Sequence, residues 1–173
     1  MAPCSWFSDV VDLGLVSFPA AIGVRVLMMP FHLHEVSETL PPALSVWRST
    51  VQRLVSLGPV RRGVGYLTVD ERHVLAGQTH RRPGLHVDGW HRDGGAWGGG
   101  GGWGGTAAGM VVAASHPGSV AYIQGFSGEP AEYGDCEALR SQIDPRLVVT
   151  LSGGVAYRRR ALAYIARPDH AGG

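Results

Sequence analysis

The chain has 173 residues, of which 45% are hydrophobic and 17% charged, a composition suited to one domain that buries most of its apolar surface. This composition excludes a disordered polyelectrolyte. The 15 basic residues, all of them arginine, nearly balance the 14 acidic ones, so the net charge of +1 gives no reason to expect a nucleic-acid partner.

The two cysteines, Cys4 and Cys136, lie far apart in the sequence and have no metal-like spacing. We expect two reduced thiols in a cytoplasmic protein, with a single disulfide as the alternative. The apolar stretch Leu13–Val24 lacks a preceding basic region, contains Pro19 and is shorter than the roughly 20 residues that span a membrane. The sequence therefore predicts a strand pair or a short core segment here, and no membrane partner.

Strands and one helix are predicted for the first third of the chain. Two apolar, β-branched runs, Val10–Phe18 and Ile22–Phe31, favour strands. The segment Pro41–Leu57 places apolar residues along one face of an α-helix, and Gly58-Pro59 marks its end. The residues of that face are Leu44, Trp47, Val51, Leu54 and Val55. We predict one amphipathic helix in this N-terminal part of the chain.

From residue 64 onward, short apolar runs recur between Gly, Pro and Asp, as in the antiparallel strands of a sandwich or barrel. These runs are Val64–Val69, His73–Leu75, Leu85–Val87, Ala108–Ala114, Val120–Phe126, Arg146–Leu151 and Val155–Ile165. The predicted fold class is mainly β (α+β), in a single domain over residues 1–173.

A glycine-rich insertion interrupts this pattern. Gly94–Gly105 holds nine glycines in twelve residues, together with Trp97 and Trp103. Because glycine loses the most backbone entropy on ordering, we expect a mobile surface loop. A lid over a pocket, closed by the two tryptophans, is the alternative.

One pair of residues suggests a metal site. His86 and Asp88 are two positions apart, and such residues project to the same face of a strand. An imidazole and a carboxylate, joined by a later histidine, compose the 2-His-1-carboxylate triad of non-haem Fe(II) oxygenases. The alternative is the end of a surface strand with two solvated polar residues.

The order of elements, with the segment Arg-Arg-Pro-Gly-Leu-His-Val-Asp-Gly at residues 81–89, resembles double-stranded β-helix proteins of the Fe(II)/2-oxoglutarate-dependent dioxygenase type. The resemblance covers about residues 40–170. It implies a jelly-roll-like antiparallel barrel, with Fe(II) held by His86 and Asp88 and with 2-oxoglutarate as cosubstrate. His170 has the sequence position expected of the third ligand. The arginine run 158–160 would bind the cosubstrate carboxylate, or it would be a solvated charge run on an edge strand.

A second metal-like pattern, His32-x-His34-Glu35, would place two histidines on one strand face, as in the first motif of a cupin. It precedes the predicted helix and lacks the glycines that surround that motif. The chain contains no lysine, which excludes Schiff-base chemistry and a P-loop phosphate site.

Two function hypotheses follow. The first is an Fe(II)/2-oxoglutarate-type oxygenase, or a degenerate relative, acting on a small molecule or peptide. The second is a non-catalytic β-sandwich or barrel domain for binding or assembly.

Overall fold

The computed structural model describes residues 5–75, 78, 80, 83–87, 110–131, 134–160 and 163–166. The predicted metal ligands Asp88 and His170, and the glycine-rich loop Gly94–Gly105, lie outside the described residues.

Antiparallel strands dominate the described chain, which confirms a mainly β protein. The strands are β1 (Ser5–Leu15), β2 (Arg25–His32), β3 (Val64–Asp70), β4 (His86–Val87), β5 (Met110–Ala114), β6 (Ser119–Tyr122), β7 (Gln124–Ser127), β8 (Val148–Thr150), β9 (Val155–Arg160) and β10 (Ala163–Ala166). They form one four-stranded sheet in the order β5-β9-β1-β7, a second in the order β4-β10-β6-β8, and a two-stranded ribbon of β2 and β3. All of the strand pairs described are antiparallel.

The two four-stranded sheets meet in a shared apolar cluster. Ala121 of β6 and Tyr157 of β9 belong to different sheets, and both are buried in this cluster together with Leu151. The Tyr157 hydroxyl accepts a hydrogen bond of 2.9 Å from the Ser152 backbone N–H, so this buried polar group is satisfied. The two sheets therefore pack against each other at this cluster.

A change of sheet occurs between β6 and β7. At Ile123, the single residue between these strands, the backbone N–H donates to the carbonyl of Leu147 at 2.9 Å. Residues before Ile123 pair with β8 and β10, whereas residues after it pair with β1. The predicted single strand Val120–Phe126 is therefore two strands, one in each sheet.

A separate apolar cluster joins the β2–β3 ribbon to the helices. Its buried members are Phe31, Val36, Leu40, Leu44, Val51, Leu67 and Val69. Glu71, directly after β3, connects the ribbon to the helical segment. Its carboxylate accepts hydrogen bonds from the backbone N–H groups of Ile22 (2.8 Å) and Val24 (2.9 Å) and from the indole N–H of Trp47 (2.9 Å).

The amphipathic helix predicted for Pro41–Leu57 is corrected by the structure. The described chain begins with strands, and the segment contains a 3-10 helix, Pro42–Trp47, followed by the α-helix Arg48–Leu57 (α2); a one-turn helix, Val36–Thr39 (α1), precedes them. Leu44 and Trp47 are three residues apart, the period of a 3-10 helix, so the tighter helix also turns both side chains inward. Helical periodicity alone does not separate the two geometries.

Two further strand predictions are corrected. His73–Leu75 is not a strand, and its apolar residues Val74 and Leu75 are exposed. Val155–Ile165 contains two strands, β9 and β10, in different sheets. Among the described residues, no helix has the length and apolar character needed to cross a membrane.

Candidate functional site around His86

His86 lies on the short strand β4, where neighbours on both sides fix its backbone. It pairs with Tyr164 of β10 on one side and forms an isolated bridge with Asp135 on the other. The preceding residue, Leu85, donates its N–H to the Glu137 carboxylate and accepts a 2.9 Å hydrogen bond from the Cys136 N–H. The imidazole is thus presented from a backbone position held by two other segments of the chain.

The side chains beside His86 determine which way its ring points. Leu85 and Val87 belong to an apolar cluster whose other buried members are Val120, Tyr122, Phe126, Cys136 and Leu139. Because neighbouring residues of a strand project to opposite faces, His86 points away from that cluster. The face of the strand that carries His86 is also covered, since His86 is only 3% exposed.

One contact of the His86 imidazole identifies a donor nitrogen. Nδ1 lies 2.9 Å from the carbonyl oxygen of Gly84. Because a carbonyl can only accept, Nδ1 is the donor in this contact. A backbone carbonyl that holds one ring nitrogen in this way is one of the usual outer partners of a metal-binding histidine.

Position 84 favours glycine because of its backbone conformation and its close neighbour. Its φ is +95°, and a Cβ added here would lie 2.8 Å from Oε1 of Glu137. This carboxylate is the one that holds the Leu85 N–H.

Glu137 is kept ionised in this arrangement. The pKa of its carboxyl is lowered first by the hydrogen bonds from Arg140 and then by the Leu85 N–H, against partial burial, which acts to raise it. Both of its oxygens contact Arg140, and Oε1 also accepts from Leu85. We conclude that Glu137 fixes the backbone of Leu85, the residue that precedes His86.

Two further histidines lie near His86 in the sequence. His80 lies 3.5 Å from the carboxylate of Asp70, at the end of β3, whereas His91, like Asp88 and His170, lies outside the described residues. The arginines 158–160 lie on β9, which has β5 on one side and β1 on the other. The expectation that they mark an edge strand is therefore wrong.

Another group of potential metal ligands lies near the N-terminal end of the sequence, after β2. His32, His34 and Glu35 are the only three His, Cys, Asp or Glu residues in the described part of the chain whose ligand atoms all lie within 4.8 Å of one another. The sequence predicted both histidines on one strand face. His32 is instead the last residue of β2, and His34 lies in the turn that follows.

Two surface grooves accompany the N-terminal half. One, of about 340 Å³, is lined by Leu15, Ser17, Ser49, Thr50 and Arg53. The other, of about 400 Å³, is lined by residues that include His34, Glu35 and Arg61. Neither groove is lined by His86.

Comparison with known proteins adds no relative to these observations. No protein-family model, curated protein or solved structure matches the chain.

Proposed function

We propose that this protein is an Fe(II)/2-oxoglutarate-type oxygenase, or a degenerate relative of one, built on a double-stranded β-helix, with the metal held by His86, Asp88 and His170. The observation that carries the proposal is the state of His86. Its ring is buried and turned away from the apolar cluster, and its Nδ1 contacts the Gly84 carbonyl, the kind of outer contact that orients a metal-binding histidine.

The alternation of β4 supports Asp88 as the second ligand. Leu85 and Val87 project into the apolar cluster, so the next residue, Asp88, would share the face of His86 if the strand continues by one position. The alternation would also keep the carboxylate out of an apolar environment, where an ionised group is costly to bury.

The proposal that His170 is a ligand constrains the path of the chain after β10. Tyr164 pairs with His86, and in this antiparallel pair the later residues of β10 run toward Leu85 rather than toward Asp88. For His170 to reach the metal, the chain after Ala166 must therefore reverse its direction. Pro168 lies between these residues and is a residue type that favours turns.

An imidazole and a carboxylate fit a hard or borderline ion such as Fe(II) or Mn(II). When bound, Fe(II) with 2-oxoglutarate supplies the activation of O₂ that these residues lack. The contribution of the chain would be to orient His86 through Gly84 and Glu137 and to limit the access of water to the buried ring.

The test is the Fe(II)-dependent conversion of 2-oxoglutarate to succinate and CO₂ by the full-length chain in the presence of O₂. One oxygen atom enters succinate, and added ascorbate supplies the two electrons that reduce the other to water when no substrate is present. We expect slow succinate formation without added substrate, its loss in Asp88→Ala, and its retention in His116→Ala, which changes an exposed histidine elsewhere. An oxygenase role is contradicted if wild type and Asp88→Ala give the same succinate yield.

A non-catalytic β-sandwich domain is the second candidate. It is favoured by the packing of two four-stranded antiparallel sheets around Ala121, Leu151 and Tyr157. Metal binding distinguishes the candidates, because a sandwich used only for binding or assembly does not require His86 or Asp88 to hold an ion.

A further inference from the structure

We propose that His32, His34 and Glu35 form a metal site of their own, at the surface, for a borderline divalent transition-metal ion of the Zn²⁺ class. This site is separate from the one proposed around His86 and does not depend on it. Two imidazoles and one carboxylate form a ligand set found in zinc proteins, in which a water or an outside ligand takes the fourth position.

The ligand atoms of the three residues all lie within 4.8 Å of one another, and the two distances to the carboxylate are near those of a tetrahedral zinc site. Nε2 of His34 lies 3.4 Å from Oε1 of Glu35, and Nδ1 of His32 lies 3.8 Å from Oε2 of the same carboxylate. Zinc–nitrogen and zinc–oxygen bonds of about 2.1 Å place neighbouring tetrahedral ligands roughly 3.4 Å apart. Small side-chain rotations would therefore complete the site.

The backbone that carries these side chains is fixed by its own hydrogen bonds. The Glu35 N–H donates to the carbonyl of His32 at 3.1 Å, and the Leu33 N–H donates to Gly63 at 3.0 Å. Thr39 closes the turn, because its Oγ1 accepts from the His32 N–H at 3.1 Å and donates to the Glu35 carbonyl at 2.8 Å. Binding would thus order three side chains without having to order the loop.

The Glu35 carboxylate is directed to the histidines. Glu35 occupies the position before α1, where a side chain often caps the helix, yet it makes no capping hydrogen bond. Its two oxygens instead approach the two imidazoles. Imidazole ligands favour zinc, copper or nickel over magnesium or calcium, which prefer oxygen ligands.

The fourth position would be open to solvent. All three side chains are exposed, and His34 and Glu35 also line the groove of about 400 Å³ that extends to Ser37, Gln52 and Arg61. A site with three protein ligands beside a groove can accept water or a small anionic ligand at the metal.

The test is a calorimetric titration of Zn²⁺ into full-length protein freed of metal by a chelator, at neutral pH. We expect a saturable event from this cluster that is weakened at least about tenfold in His34→Ala and in Glu35→Gln, given that even outer partners of ligands contribute this much. The matched control is His73→Ala, which removes an exposed histidine outside the cluster and should bind as wild type does.

The titration is repeated in Asp88→Ala to separate this site from the one around His86. Zinc binding at His32, His34 and Glu35 should persist in that variant, so either proposal can fail alone. Ring resonances of His32 and His34 in wild-type NMR spectra should shift on addition of Zn²⁺, a readout that requires no variant to fold. The proposal is overturned if those resonances do not shift or if His34→Ala and Glu35→Gln bind zinc as wild type does.

Discussion

The Leu85 backbone N–H donates a hydrogen bond to the Glu137 carboxylate, 52 residues further along the chain. This contact joins the short strand that carries His86 to the 3-10 helix Glu137–Gln142. β4 has only two residues and would be poorly fixed by its ladder alone. The position of His86 therefore depends on Glu137, and the close approach of Glu137 depends on Gly84.

Gly84→Ala should destabilise the protein more than Gly63→Ala does. The two glycines have nearly the same φ, +95° and +94°, but a Cβ at Gly84 would meet Glu137 at 2.8 Å, whereas a Cβ at Gly63 would meet nothing within 4 Å. We expect a loss of about 1–2 kcal/mol at Gly63 from the left-handed backbone conformation, and a larger loss at Gly84. Urea denaturation of both variants measures the difference, and equal losses would show that Glu137 moves aside without cost.

Glu71→Gln should destabilise the protein at neutral pH and have less effect in acid. Burial acts to raise the pKa of Glu71, but the hydrogen bonds from the backbone of Val24, Ile22 and Gly23 and from Trp47 outweigh it, so the pKa is lowered from 4.5. A lowered pKa in the folded state gives stability that is present above the unfolded value and is lost as the pH falls through the folded value.

The difference in the free energy of unfolding between wild type and Glu71→Gln should be about 1–3 kcal/mol near neutral pH and should shrink at about pH 3. Urea denaturation at both pH values measures it. The control is Glu129→Gln, which changes an exposed carboxylate and should have little effect at either pH. A difference that is the same at both pH values would contradict a role for the ionised carboxylate.

Gln142→Ala should expose the outer edge of β7. Oε1 of Gln142 accepts from the Ser127 N–H at 2.8 Å, and its Nε2 donates to the Ser127 carbonyl at 2.7 Å, so the side chain takes the place of a neighbouring strand. We expect a loss of about 0.5–1.5 kcal/mol and faster hydrogen exchange of the Ser127 amide.

The comparison for this edge is Gln52→Ala, which removes one surface hydrogen bond, to Ser37, and no contact with a strand. It should leave the Ser127 exchange rate unchanged. An unchanged rate in Gln142→Ala as well would show that the edge is protected by something other than this side chain.

Local patterns in the sequence were sufficient for the class of fold but not for its topology. The short apolar runs from Val64 onward predicted antiparallel strands, and most of the described runs contain them. The same pattern could not locate the change of sheet at Ile123, because that change depends on the distant partner Leu147. Nor could it distinguish Val74 and Leu75, which are exposed, from residues of a strand.

The candidate sites were likewise predictable from the sequence only in part. The apolar run Leu85–Val87 predicted a strand at His86, and β4 includes it. The contacts that fix its ring and backbone come from Gly84, Glu137 and Cys136, and the last two are distant in sequence. His32, His34 and Glu35 could be recognised as ligands, but the turn that brings them together is set by Thr39 and Gly63.

The most direct test of the proposed site is Mn(II) binding to the full-length chain, followed through the EPR signal of free Mn(II), with and without 2-oxoglutarate. All proteins carry Glu35→Gln, so that the surface cluster binds metal more weakly. We predict one saturable Mn(II) ion, bound more tightly with 2-oxoglutarate present, lost in Asp88→Ala and weakened in His170→Ala, whereas His116→Ala binds normally. No saturable binding, or equal binding in Asp88→Ala, would contradict the metal site at His86.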